Sequence, residues 1–118
     1  MLEQLPPDQA LIVQFSGYGE QFFKPGNHDL GPLHKLHLEI DGQLAVEGTG
    51  VMDGHEIAVD GSEGALFMYG PDARALFDSV AAVLDASPVT KGGTAYLYFG
   101  DINDEATPVE AVKLGMSG

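Results

Sequence analysis

Residues 32–46 read PLHKLHLEIDGQLAV, and the fold turns on whether they coil or pair. Leu33, Leu36, Ile40 and Leu44 recur at spacings of 3, 4 and 4, which puts them on one face of a helix. Pro32 suits the first helical turn. A hairpin competes for the same residues, because Leu36, Leu38 and Ile40 alternate and Asp41-Gly42 fits a type I′ turn. The helix is preferred because the apolar spacing persists past Gly42, a glycine that costs about 1 kcal/mol inside it.

Upstream, Ala10 to Phe15 (ALIVQF) is short, apolar and rich in β-branched residues, as a mostly buried strand is. Met1 to Gln9, with Pro6-Pro7, is expected to be an exposed leader. From Ser16-Gly17-Tyr18-Gly19 to Gly31 runs a polar and aromatic connection; such lengths are uncommon unless ordered by their own side chains or functional. Downstream, Val51 to Val59 predicts a second strand in its later half. Asp60-Gly61-Ser62 turns the chain into a third strand, Ala65 to Tyr69. Pro71 to Ala86 is the clearest helix, with proline at its first position and a stripe of Leu76, Phe77, Val80, Val83 and Leu84. Thr94 to Phe99 predicts a fourth strand and Val109 to Leu114 a fifth, at an edge. Residues 115–118 should fray.

The order is β-α-β-β-α-β plus one strand. It predicts a single α+β domain over residues 1–118, a ferredoxin-like sandwich with an extra C-terminal strand. Both helices should cover one face of an antiparallel sheet. Tyr96 and Tyr98 would then lie on the uncovered face, with Leu97 and Phe99 beneath the helices.

The 118 residues carry 18 acidic and 5 basic side chains, a net charge of −13. That charge repels phosphate, so nucleic acid is a poor partner. No apolar run approaches the ~20 residues of a membrane-spanning helix. Residues 1–7 show neither the basic nor the apolar region of a signal peptide and the sequence holds no cysteine, so the expectation is a soluble cytoplasmic domain.

Asp53-Gly54-His55-Glu56 is the densest polar segment. Its carboxylates and imidazole suit acid–base catalysis or a divalent metal. If residues 55–59 are extended, however, His55 and Glu56 point to opposite faces, and the plain alternative is that Asp53-Gly54 forms a turn with Glu56 solvated. His34 and His37 sit three apart, and His28 or Asp29 could complete a metal site with them. Ser16-Gly17-Tyr18-Gly19 lacks the lysine and following helix of a phosphate loop. Asp101, Asp104 and Glu105 lack the calcium-loop pattern.

The segment from Gly50 to Gly100 resembles a group of small bacterial proteins of uncharacterised function. The resemblance is carried by Asp53-Gly54-His55-Glu56, Met68-Tyr69-Gly70-Pro71-Asp72-Ala73 before Leu76-Phe77, and Tyr98-Phe99-Gly100. It implies a small α+β fold and a bacterial cytoplasm, and it supplies no catalytic residues. The chain is therefore read as a non-catalytic, cofactor-free domain that binds another protein or a second copy of itself through Tyr96 and Tyr98. Two alternatives stand beside it: a metal-dependent or acid–base site at Asp53, His55 and Glu56, and an acidic inhibitor covering a basic toxin.

Overall fold

A computed structural model of the chain describes residues 9–115. In order, the elements are β1 (Gln9–Ser16), α1 (Tyr18–Phe22), β2 (Phe23–Lys24), β3 (Asn27–His28), α2 (Gly31–Glu47), β4 (Val51–Ile57), β5 (Glu63–Gly70), α3 (Ala73–Ala86), β6 (Thr94–Tyr98) and β7 (Val109–Lys113). The fold is α+β. Five strands form one antiparallel sheet in the order β4-β5-β1-β6-β7, and β2 and β3 make a separate two-stranded ribbon.

The contested stretch is helical. Leu33, Leu36, Ile40 and Leu44 are each at most 1% exposed. Burying four such side chains outweighs the glycine at position 42, which is exposed and meets nothing within 4 Å. The helix stops at Gly48, whose left-handed φ of 69° lets its N–H return to the Leu44 carbonyl at 2.8 Å.

At its start α2 has no side-chain cap from Leu30, and neighbours supply one. The Asp29 carboxylate accepts from the Gly31 N–H at 2.9 Å. The Tyr18 hydroxyl accepts from the Leu33 N–H at 3.2 Å and donates to the Asp29 carbonyl at 2.8 Å. Tyr18 is fully buried and packs against Phe22 and Phe23, so the long connection is ordered by its own aromatics. The glycines beside it serve a close backbone crossing. The Gly19 N–H bonds Gly61 O at 2.8 Å, and a Cβ on Gly61 would lie 2.6 Å from the Gly19 Cα.

The second long helix, α3, begins two residues later than the sequence suggests. Asp72 is its N-cap, accepting from the Arg74 and Ala75 N–H groups, and Pro71 precedes the cap instead of opening the helix. The Ala73 N–H is taken by the Gln9 side chain at 2.8 Å, so Gln9 belongs to β1 and not to a leader. The other leader residues, 1–8, and residues 116–118 lie outside the described residues. Gly115 is anchored by its N–H to the Asp85 carboxylate at 3.2 Å and is not frayed.

The second strand also departs from expectation. It starts at Val51 and ends at Ile57, and Val59 is 90% exposed. Register runs Met52↔Met68 and then Gly54↔Phe67, so Asp53 is the extra residue of a β-bulge and not part of a turn. The α2 stripe and Leu76, Val80 and Leu84 of α3 are buried in one cluster with Leu11, Val13, Leu66, Met68, Ala95 and Leu97, all on one sheet face, while Phe77 and Val83 pack against it partly buried. Among the described residues, neither α2 nor α3 covers the other face.

Candidate functional site

Two places gather polar or aromatic side chains that the core does not need. The first is on the helix side of β4. The bulge sets the alternation so that His55, opposite Leu66, faces α2. His34 and His37 lie one helical turn apart on α2. The His37 and His55 Nδ1 atoms are 2.8 Å apart, one donating and the other accepting. Their rings are 5.0 Å apart and nearly perpendicular, and the His34 ring lies 5.5 Å from that of His55. Partial burial, then the neighbouring His37 and His34, lower the His55 pKa below the ordinary imidazole value.

The sequence groupings are thus redrawn. Glu56 pairs with Ala65 and points to the opposite face from His55. Asp53, in the bulge, lies near Tyr69, whose pKa is raised by burial and then by that carboxylate. The Asp53-His55-Glu56 set does not converge. His28 is stacked on Phe23 at 4.3 Å, and Asp29 is occupied at the start of α2, so neither joins His34 and His37. His55 takes their place. Among the described residues, no three His, Asp or Glu side chains enclose a common point in this conformation. The acidic loop is self-satisfied: Asp101 accepts from the Asn103 N–H and Asp104 from the Ala106 N–H.

The meeting of His37 with His55 was within reach of arithmetic. Taking Thr49 as the centre of the connection, twelve helical residues back to His37 span about 18 Å. Six extended residues forward to His55 span about 20 Å.

The second place is the helix-free sheet face. One cross-strand row reads Val51, Tyr69, Ala10, Tyr98, Val109. The next reads Gly54, Phe67, Ile12, Tyr96, Ala111, and a third reads Glu56, Ala65, Gln14, Thr94, Lys113. Ile12, Phe67, Tyr69, Tyr96 and Tyr98 are all half-buried, while Val51 and Val109 at the two edges are 58% and 48% exposed. Leu97 is fully buried beneath the helices, and Phe99, just past β6, packs on the same core. A concavity of about 660 Å³ lies elsewhere, between α2 and α3, with Lys35 and Glu39 among its lining residues.

No family model matches the chain, and no curated protein or solved structure matches it. No helix among the described residues is long and apolar enough to cross a membrane.

Proposed function

We propose that this chain is a non-catalytic self-association domain with a ferredoxin-like plan, working in a bacterial cytoplasm and pairing with a second copy through the helix-free sheet face. The observation that carries this reading is the pair of aromatic rows. An uncovered face with five half-buried apolar or aromatic side chains at its centre resembles half of a core. The strand order β4-β5-β1-β6, with β7 added outside β6 and α2 and α3 as the two crossovers, supports the ferredoxin-like plan.

A second copy is the occupant that fits the charges. In the third row Glu56 stands at one edge and Lys113 at the other. A two-fold axis parallel to β1 and lying in the interface would set each Glu56 over the partner's Lys113, twice over. Five strands about 4.8 Å apart and roughly 22 Å long give two faces that together cover on the order of 1,000 Å², the scale of a specific interface.

Sedimentation equilibrium tests the reading. Wild type should run at twice the monomer mass. Tyr96→Glu, at a position exposed enough for the monomer to fold, should weaken association at least 100-fold with an unchanged far-UV CD spectrum. A wild type that stays monomeric at 100 µM, or a dimer indifferent to Tyr96→Glu, refutes it.

A further inference from the structure

Three of the chain's four histidines meet at the α2–β4 contact, on the opposite side of the sheet from the aromatic face. From this geometry we infer that His34, His37 and His55 form a binding site for a borderline divalent transition cation such as Zn²⁺. The two Nδ1 atoms at 2.8 Å lie slightly closer together than two ligands of one ion. With metal–nitrogen bonds of about 2.0–2.1 Å, tetrahedral ligand atoms sit roughly 3.3 Å apart, so the pair needs to open by about 0.5 Å. Imidazole rings around such an ion have centroids roughly 5 Å apart. The observed separations of 5.0 and 5.5 Å already match that.

In the present arrangement His37 and His55 use their Nδ1 atoms on each other. The cation takes the place of that shared hydrogen bond. Whichever ring held its proton on Nδ1 moves it to Nε2 through solvent, so both rings ligate while neutral and no net proton is released. His34, exposed on the first turns of α2, swings its ring about its side-chain torsions to become the third ligand. Water fills the fourth position. Three imidazoles with neither thiolate nor carboxylate select Zn²⁺, Ni²⁺ or Cu²⁺ over Mg²⁺ or Ca²⁺.

The test is calorimetric titration of the full chain, stripped with EDTA and dialysed, with Zn²⁺ alone. One ion per chain should bind and the melting temperature should rise. His37→Ala and His55→Ala should each lower the affinity at least tenfold, and His28→Ala should leave it unchanged. His34→Ala changes an exposed side chain, so its tenfold loss cannot be ascribed to misfolding. No binding at 1 mM Zn²⁺, binding indifferent to any of the three substitutions, or loss on His28→Ala would each overturn the assignment. Because the aromatic face lies on the other side of the sheet, failure here leaves the dimer test untouched, and the reverse holds.

Discussion

Tyr18→Phe isolates one hydroxyl at the junction of α1 and α2. The ring and its packing against Phe22, Phe23 and Phe15, at centroid distances of 4.7, 5.7 and 6.3 Å, are retained. Two hydrogen bonds are lost, and they are not equal. Asp29 is exposed, so its carbonyl can turn to water. Leu33 is fully buried, so its N–H has no substitute partner. An orphaned buried donor costs about 1–3 kcal/mol. For a chain of this length each kcal/mol shifts the melting temperature by roughly 4 °C, so a fall of about 4–12 °C is expected. Calorimetry measures the fall, and hydrogen exchange locates it: the Leu33 amide should lose protection more than the amides of β1 or β5. A melting temperature within 1 °C of wild type, with Leu33 still protected, would mean that the hydroxyl does not cap α2.

Gly42→Ala should raise stability by about 0.5–1 kcal/mol in denaturant titration, since the site is helical, exposed and open around the new methyl; a loss of stability would contradict a continuous α2. The histidine cluster gives a signed pH dependence in EDTA-containing buffer. His55 has a lowered folded-state pKa, so the unfolded chain binds its proton first as pH falls below about 6.5. Its contribution is fully present above that pH and is lost as pH falls through the folded-state value. Wild type should therefore lose more stability than His55→Gln between pH 7 and 5, and parallel curves would refute the assignment.

The helix at residues 31–47 was legible because four leucine and isoleucine positions outvote one Asp-Gly pair: burial acts on all four, while the turn preference acts only at Asp41 and Gly42. The same dipeptide logic failed at Asp53-Gly54 for a different reason. An extra residue in a strand breaks the alternation that sequence reading relies on, so β4 looked shorter and later than it is. The bulge also hid the histidine cluster. It is Asp53 that moves His55 onto the face with α2, and without its register His34 and His37 could only be matched with their neighbours His28 and Asp29. Tyr96 and Tyr98 were legible from alternation alone, whereas Ile12 and Phe67 between them needed the register of β1 with β5 and β6.

The kink at Asp53 has a consequence for how this molecule behaves when concentrated. β4 is an outer strand, and a straight outer strand is a template on which further chains can stack without limit. Here a charged, irregular step interrupts that template after its second residue, and the far border is a strand of only five residues. Growth sideways into fibres is discouraged at both borders, which leaves the broad surface as the place for the proposed pairing, and a two-fold arrangement there would use itself up and stop at two.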